Sequence, residues 1–204
     1  MRHLEVRDLC CERGSSRLFE NLGFALEAGQ ALVVVGSNGS GKTSLLRILA
    51  GLSRPAAGAV LWWGGPGSGE PAADRGDFVY LGHTVPLRDE LSVLENLELQ
   101  LAFDALRLQR AVLFEALASA GLLERRDLPA RHLSLGQRRR MGLARVALSQ
   151  RALWLLDEPG TGLDDAGVRW LESLLADHLG QGGSAVLTSH QTLRLPPSAL
   201  TLAL

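Results

Sequence analysis

The sequence predicts an α/β fold built around a mostly parallel β-sheet. Three observations predict it. Short apolar runs typical of buried strands alternate with helical segments, a glycine-rich loop joins one such run to a helix, and residues 91–148 are rich in Leu, Ala and Arg at helical spacing. Because strands that alternate with helices form parallel sheets, we expect ligands to bind at the carboxyl ends of the strands.

Composition excludes several classes of protein. The chain has 204 residues, of which 46% are hydrophobic, and a formal net charge of -1. We therefore expect one large domain or two small subdomains, and no nucleic-acid partner. No apolar run approaches the roughly 18 residues of a membrane-spanning helix, and residues 1–6 lack the apolar core of a signal peptide. A cytosolic chain without a direct membrane span, or one docked on a membrane through a partner, is expected.

The first part of the chain reads as an antiparallel β region. Alternating Leu22, Phe24 and Leu26 indicate a strand, and a turn at 28–30 leads into the buried strand 31–35.

Shorter features surround these strands. The two cysteines, Cys10 and Cys11, are adjacent and face opposite sides of a strand, so both are expected to stay reduced. Residues 60–63 and 78–81 read as two further strands. The loop at 64–69 between them is expected to be the most mobile stretch.

The strand 31–35 runs into a loop of the form G-x-x-x-x-G-K-[ST], and a helix is predicted at 44–50. Glycines let successive N–H groups turn toward an anion, and the helix adds the positive end of its dipole, so this context predicts a phosphate site. Lys42 is predicted to reach the β- and γ-phosphates of a nucleotide, and the Thr43 hydroxyl to bind Mg²⁺. The predicted nucleotide-binding residues of this P-loop are Gly36, Ser37, Asn38, Gly39, Ser40, Gly41, Lys42, Thr43 and Ser44.

Three helices are predicted next. Ser92 and Glu95 form an S-x-x-E capping box at the start of the first helix. The second helix ends near Gly121, Pro129 marks a break, and the third helix starts near Gly136. The alternating pattern then resumes with a strand at 152–156, a helix at 165–179 and a strand at 184–188.

Two adjacent acids, Asp157 and Glu158, close the apolar strand 152–156. In a P-loop protein that hydrolyses nucleotides, the first acid helps to hold Mg²⁺ and the second polarises the attacking water. A solvated turn is the alternative explanation, and the P-loop upstream favours the functional one.

With these motifs in place, the sequence resembles the ATP-binding subunits of ABC transporters. Their signature, L-S-G-G-Q followed by a basic helix, is similar to residues 133–137 followed by 138–141. Residues 162–164 resemble the D-loop of the family, and His190 resembles its switch histidine. With the P-loop and the acid pair, these features occur in the family's order over nearly the whole chain. The arginines at 138–140 are expected to form a solvated or partner-facing surface.

The resemblance implies a P-loop NTPase core of the ABC ATPase type, with an N-terminal antiparallel β subdomain and a helical insertion that carries the signature. The whole chain, 1–204, is expected to be a single ABC ATPase domain. Residues 1–85 and 149–204 would form the core and the β subdomain, and residues 86–148 the helical subdomain.

The resemblance also implies ATP and Mg²⁺ as cofactors, and a homodimer whose two copies meet head to tail around ATP. Glu158 is expected to act as the general base or to orient the water, and His190 to contact the γ-phosphate. Asp157 and Thr43 would hold Mg²⁺. The residues expected to complete or couple the partner's nucleotide site are Ser134, Gly136, Gln137 and Asp164.

Three positions depart from the family pattern. Arg13 stands where the family has an aromatic residue that stacks on adenine, and a guanidinium plane can stack in the same way. His83 replaces the Q-loop glutamine, which senses Mg²⁺ and contacts the membrane partner. A catalytic role is expected for it, and the replacement would either weaken Mg²⁺ coordination or introduce pH sensitivity. Leu135 replaces the first signature glycine, and its side chain must therefore point away from the phosphate.

Four segments resemble one subfamily, the ATP-binding subunit of the haem exporter of bacterial cytochrome c maturation. They lie at 9–13, 80–83, 90–97 and 188–191, and Thr84 departs from the glutamine typical of that subfamily. The resemblance implies integral-membrane transporter subunits of the cytochrome c maturation system as partners, bound through the surface between His83 and Leu101. It places the chain peripherally on the cytoplasmic side of the bacterial inner membrane.

Three alternatives stay open on the sequence. The chain could drive another ABC export system with a drug, lipid or polysaccharide as cargo. It could be a soluble ABC-type ATPase that acts on DNA or ribosomes, although its short helical insertion and single cassette argue against that class. It could also be a regulatory module that binds nucleotide without hydrolysing it. The presence of Glu158 and His190 disfavours this class, whereas Leu135 and His83 keep it open.

Overall fold

The structure is a computed structural model that describes residues 2–14, 16–62, 77–190 and 192–204. It divides into two compact units. Unit 1 consists of Met1–Tyr80, Arg151–Glu158 and Leu175–Leu204, and unit 2 consists of Leu81–Gln150 and Pro159–Leu174. The sequence-based division, with a helical subdomain at 86–148, stays a prediction.

Eight strands and five α-helices lie in the described part of the chain. The strands are β1 (Arg2–Arg13), β2 (Ser16–Glu27), β3 (Ala31–Val35), β4 (Ala57–Trp62), β5 (Phe78–Leu81), β6 (Leu153–Leu156), β7 (Ser184–Thr188) and β8 (Leu200–Ala203). The helices are α1 (Lys42–Leu49), α2 (Val93–Phe103), α3 (Arg110–Ser119), α4 (Leu135–Leu148) and α5 (Asp165–Gly180). Short 3₁₀ turns at Leu123–Arg125 and Ala130–His132 lie between α3 and α4.

A three-stranded antiparallel sheet, in the order β2-β1-β4, confirms the predicted antiparallel region. Buried Leu4 and Leu26 are register partners in β1 and β2, so the alternating apolar residues lie on the face that packs into the core. The pairing of β1 is irregular at Asp8, where φ is 47°. Asp8 lies so close to Gly58 of β4 that no side chain fits at Gly58, which explains the glycine there.

The second sheet has five strands in the order β5-β6-β7-β3-β8. Strand β3 is parallel to both of its neighbours, and β6 is parallel to β7, which confirms the predicted parallel sheet. Strand β8 is absent from the sequence prediction. It is a short edge strand whose residues are mostly exposed, so it lacks the continuous apolar run by which the central strands are predicted.

Helix α1 joins the core of unit 1. Leu45, Leu46 and Leu49 are fully buried, and the helix packs against β6 and β7. Their spacing places all three on one face of the helix. Helix α1 begins at Lys42, earlier than the predicted start at residue 44, so Lys42 and Thr43 belong to its first turn.

Side-chain caps define two helices of unit 2. At α2 the Ser92 hydroxyl accepts from the Glu95 N–H at 3.2 Å, and the Glu95 carboxylate accepts from the Ser92 N–H at 2.7 Å. This capping box confirms the predicted start of α2. Ser134 and Gln137 form the same motif at α4, which begins one residue before the predicted position. Each box satisfies two N–H groups that would otherwise lack partners.

The prediction of a solvated or partner-facing surface at 138–140 is wrong for Arg139. This side chain is only 2% exposed, and its guanidinium donates to the carbonyl oxygens of Gly82 at 2.9 Å and His83 at 2.7 Å. Arg138, by contrast, pairs with Asp89 at 2.6 Å near the surface. Consecutive residues of a helix lie about 100° apart, so a run of three charges cannot share one face.

No helix within the described ranges is both long enough and apolar enough to cross a lipid bilayer. Both cysteines are free thiols, Cys10 half-buried and Cys11 buried, as predicted. The predicted mobile loop at 64–69 lies outside the described residues.

Two histidines of unit 1 contact the same serine at the start of β7. His3 Nδ1 and Ser184 Oγ are 2.7 Å apart, and His178 Nε2 donates to the Ser184 carbonyl oxygen at 3.1 Å. The His178 ring stacks on Trp154, with centroids 3.9 Å apart, and covers Gly183 so closely that no side chain fits there. Burial lowers the pKa of both histidines below the usual 6.5, because it disfavours the charged ring.

This cluster predicts a loss of stability in acid. As the pH falls below about 6.5, the unfolded chain binds protons to these histidines before the folded protein does, so the free energy of unfolding decreases. Above that pH both states are neutral at these sites and the contribution is constant. We expect His178→Gln to reduce the difference in stability between about pH 7.5 and about pH 5.5, measured by urea unfolding. His132→Gln, at an exposed histidine, is the matched control. An unchanged pH dependence in His178→Gln would contradict this account.

Candidate functional site

The P-loop requires glycine at two positions for steric reasons. Gly36 has φ 155°, and a Cβ there would lie 2.6 Å from both the Leu204 carbonyl oxygen and Ser40 Oγ. Gly41 has φ 109° and precedes α1, where a Cβ would lie 3.1 Å from the ring of Phe19. The backbone can therefore turn tightly between β3 and α1, so that the unpaired N–H groups of the first helical turn are available to an anion.

Lys42 is buried at this loop. Its ammonium donates to the carbonyl oxygens of Gly36 and Ser37, each at 2.9 Å. Both acceptors are neutral, so the positive charge stays available to an anionic ligand. Ser40 Oγ is also buried, with no hydrogen-bond partner in the described part of the chain. A buried hydroxyl without a partner fits a loop that binds a phosphate oxygen.

Asp157 lies immediately after β6 and is only 1% exposed. The Thr43 hydroxyl donates to its carboxylate, with distances of 3.0 and 3.2 Å to the two oxygens. Thr188, the last residue of β7, donates its hydroxyl to the same carboxylate at 2.9 Å. The structure thus brings together the two residues predicted to hold Mg²⁺. It adds Thr188, whose position at the carboxyl end of a strand is the signal that would have identified it.

Glu158 and His190 form a second contact beside this network. Glu158 Oε1 and His190 Nε2 are 3.2 Å apart, with the glutamate largely buried and the histidine half exposed. Glu158 has φ 51°, a conformation that costs about 1 kcal/mol or more outside glycine. Its N–H donates to Thr188 Oγ1 at 2.8 Å, and this hydrogen bond helps to hold the strained backbone. The predicted base and the predicted switch histidine therefore meet in unit 1.

The donor set fits Mg²⁺ bound together with phosphates. The described residues contain no group of three or more His, Cys, Asp or Glu side chains that could hold a metal ion alone. Thr43 and Asp157 supply a hydroxyl and a carboxylate. Mg²⁺ commonly takes one or two carboxylates and completes its shell with water and substrate phosphates, so a small protein ligand set is what it requires.

A cavity of about 460 Å³ adjoins the end of the P-loop. Predicted Arg13 lines it together with Thr43 and Ser44 of the P-loop. Arg47, which follows these two by one helical turn, also lines it and was not identified from the sequence. Helical spacing from Thr43 is the signal that places Arg47 at the same cavity. Its remaining lining residues are Cys11, Glu12, Ile48, Ser53 and Arg54.

In unit 2 the predicted signature residues begin helix α4. Ser134 Oγ accepts from the Gln137 N–H at 3.2 Å, and Gln137 Oε1 accepts from the Ser134 N–H at 3.0 Å. The Gln137 side chain is therefore used in capping α4. A cavity of about 400 Å³ lies at this helix end, lined by Gly121, Ser134, Gly136, Gln137, Arg140, Gly162 and Asp164.

Leu135 and Gly136 occupy this helix start in different ways. Leu135 is 64% exposed, packs against Gly162 and does not line the cavity, in keeping with the expectation that its side chain avoids a bound phosphate. Gly136 has no room for a side chain, because the carbonyl oxygen of Gly162 lies directly against it. Two main-chain segments therefore pass each other at a glycine-only contact.

Asp164 caps helix α5. Its carboxylate accepts from the Gly167 N–H at 2.8 Å and from the Arg140 guanidinium. The Gly167 N–H, which has the larger effect, and the Arg140 guanidinium both lower the pKa of the Asp164 carboxyl. His83 also belongs to unit 2, where its ring is exposed and its carbonyl oxygen is held by Arg139. The roles predicted for Asp164 and His83 stay predictions.

The arrangement in unit 1 is suited to phosphoryl transfer. A glycine-lined loop presents a buried cation, two hydroxyls hold one buried carboxylate, and a second carboxylate lies beside an imidazole. These are the groups that bind phosphates, hold a divalent cation and polarise an attacking water.

Comparisons with known proteins agree with this geometry. The family model described as ABC transporter matches residues 19–161. The cytochrome c biogenesis ATP-binding export protein CcmA of Pseudomonas aeruginosa is 47% identical over 195 residues, which is 96% of this chain and 96% of that protein. The protein of the same name from Escherichia coli strain K12 is 44% identical and covers 97% of this chain and 93% of its own length.

Solved structures give the same result. An ATP-binding subunit of an ABC transporter matches with a TM-score of 0.78 and 27% identity, over 92% of this chain and 79% of that one. A Pyrococcus furiosus protein described as an ABC transporter ATP-binding protein has a TM-score of 0.84 at 24% identity, over 98% and 96% of the two chains, and supports the fold. The family model spans most of the sequence, and relatives that are 44–47% identical cover 96–97% of it. The chain therefore belongs to the ABC transporter family, as an ATP-binding subunit that hydrolyses ATP.

Proposed function

We propose that this chain is the ATPase subunit of an export complex for bacterial cytochrome c biogenesis, with haem as the exported group. The observation that carries the catalytic part is the contact of the P-loop hydroxyl of Thr43 with buried Asp157, next to the Glu158–His190 pair. Near-full-length identity to the cytochrome c biogenesis relatives supports the export part. We also propose that 1–204 is one ABC ATPase domain with its helical subdomain at 86–148.

The P-loop holds the triphosphate of ATP in this proposal. Lys42 releases its two carbonyl acceptors and donates to the β- and γ-phosphates, while Ser40 gains a partner. Thr43 and Asp157 hold Mg²⁺, which neutralises phosphate charge when bound. Arg13 stacks on the adenine at the cavity it shares with Ser44.

Glu158 accepts the proton of the attacking water, or orients that water, from its position beside Asp157. His190 contacts Glu158 and is half exposed, so its ring can also reach a γ-phosphate. The Glu158 carboxylate and the His190 imidazole thereby fix the position of the attacking water. Because His83 stands at the sequence position of the Q-loop glutamine, we assign it a catalytic role in place of that residue.

We propose a homodimer in which each copy completes the other's site. The cavity at the start of α4 has the features of an anion site, with the Ser134 hydroxyl, the Gly136 backbone and the positive end of a helix. Asp164 lines the same cavity and links the two sites. Gln137 supports this end of the helix through its capping bond.

The membrane partners dock on unit 2 in this proposal. A groove of about 440 Å³ lies at the surface between His83 and Leu101, and Phe103, which lines this groove, is 79% exposed. An exposed aromatic ring at a groove is typical of a protein–protein contact. The chain would then lie peripherally on the cytoplasmic side of the inner membrane. The groove is lined by Pro86, Leu87, Arg88, Leu99, Gln100, Phe103 and Arg145.

Removing the buried cation tests the phosphate role. Lys42→Ala should weaken ATP binding by about tenfold or more, because charge-assisted hydrogen bonds contribute about 1.5–3 kcal/mol each. Isothermal titration with ATP measures the affinity. Arg151→Ala, which breaks a surface ion pair with Asp77 in unit 1, is the control and should bind ATP normally. Equal affinity in Lys42→Ala and wild type would remove Lys42 from the site.

Glu158→Gln tests both hydrolysis and biological role. It should keep ATP affinity and lower kcat about a hundredfold or more, because loss of a general base removes about that much rate. In a bacterium that lacks its own copy of this gene, wild type should restore c-type cytochromes and Glu158→Gln should not. Glu124→Gln, at an exposed glutamate, should restore them. Normal turnover in Glu158→Gln would exclude the catalytic role, and normal c-type cytochromes without the chain would exclude the export role.

The dimer can be tested at the signature helix. In the Glu158→Gln background, ATP should shift the chain to a dimer in size-exclusion chromatography, because the nucleotide is trapped. Adding Ser134→Arg should abolish the dimer while ATP still binds to the P-loop, since a long cationic side chain fills the anion cavity. Glu115→Arg, on the exposed side of α3, should leave the dimer intact. Dimerisation of the Ser134→Arg protein would refute this interface.

A further inference from the structure

Residues 82–91 of unit 2 form neither helix nor strand, yet buried polar side chains hold their backbone. Three such side chains, Asn96, Gln100 and Arg139, direct hydrogen bonds to it. Burying a polar group is unfavourable unless its hydrogen bonds are made. Because all three side chains bond to the backbone of residues 82–91, they fix the conformation of this segment.

The far end of the segment is held by helix α2. Asn96 accepts from the Arg88 N–H at 2.8 Å and donates to the carbonyl oxygens of Arg88 and Leu91 at 2.9 and 3.1 Å. Gln100 donates to the Pro86 carbonyl oxygen at 3.0 Å. These side chains act as substitutes for the backbone bonds that a regular element would have.

The near end is held by helix α4, through one residue. Arg139 donates from separate nitrogens to the carbonyl oxygens of Gly82 and His83 at 2.9 and 2.7 Å. One turn later, α4 passes so close to this region that a Cβ on Gly142 would lie 2.9 Å from Leu81. The helix whose first residues line the proposed anion cavity is therefore bonded directly to the backbone at His83.

We propose that Arg139 is a positioning residue that couples the start of α4 to residues 82–83. The inference rests on the proposed function of the α4 cavity, and it assigns a role to a residue outside the predicted nucleotide site, whose guanidinium bonds to the backbone of residues 82–83. When α4 engages the γ-phosphate of the partner copy, the Arg139 guanidinium carries Gly82 and His83 with the helix. The surface that begins at His83 then responds to the nucleotide state.

The test is steady-state ATP hydrolysis by the complete membrane complex. Arg139→Met keeps the length of the side chain and removes all of its donors, so kcat should fall about tenfold or more. KM for ATP should stay within about twofold, because the P-loop of unit 1 is untouched. Arg139→Lys can still donate to both carbonyl oxygens, and it should recover at least about a third of the wild-type kcat.

Two controls separate this role from simple stability. Leu117→Ala removes fully buried side-chain volume from helix α3 of unit 2 and should lower the melting temperature. It should keep kcat within about twofold of wild type at a temperature where it is folded. Arg125→Met, at an exposed arginine of unit 2 outside residues 82–91, should also keep kcat within about twofold of wild type. Unchanged kcat in folded Arg139→Met, or an equal loss in Leu117→Ala, would overturn the proposal.

A second measurement does not depend on Arg139 variants folding. In the Glu158→Gln complex, ATP should slow amide hydrogen exchange at 82–85 and at 134–139 together. Slower exchange at 134–139 with no change at 82–85 would also overturn the coupling. If wild type itself failed to hydrolyse ATP, the proposed function would fail, and that result is distinct from the selective loss expected for Arg139→Met.

Discussion

One buried carboxylate organises the proposed catalytic part of unit 1. Asp157 receives hydrogen bonds from Thr43 in α1 and from Thr188 at the end of β7. Thr188 also accepts the N–H of Glu158, so a single hydroxyl orients both acids. A buried charge is costly unless such donors surround it. The relative positions of helix, acid pair and histidine therefore depend on this network.

The strained backbone at Glu158 follows from the same constraint. A left-handed residue that is not glycine persists only where its surroundings fix it. Here the preceding residue, Asp157, accepts hydrogen bonds from Thr43 and Thr188. The Glu158 N–H in turn donates to the Thr188 hydroxyl. This conformation places the Glu158 carboxylate 3.2 Å from His190. The backbone strain thus falls at the residue proposed to be the catalytic base.

Local sequence patterns predict the central elements and most of the site. The P-loop, the acid pair and the capping boxes are each signalled by residues close together in the chain, because their physics is local. Two features have no such local signal, namely the hydrogen bond from β7 to Asp157 and the burial of Arg139. Thr188 and Gly82 are distant in sequence from the side chains they bond, so only the fold reveals those contacts. Strand β8 could not be predicted because it is a short edge strand whose residues are mostly exposed, so its sequence shows too little hydrophobic periodicity.

The placement of β8 beside β3 has a practical consequence. The Leu204 N–H bonds to the Val35 carbonyl oxygen at 2.9 Å, and the Leu204 carbonyl oxygen is near enough to Gly36 to crowd a side chain there. The main chain at Leu204 therefore lies next to the phosphate loop. The edge strand β8 thereby limits which residue the first position of that loop can hold, although the two are far apart in the sequence.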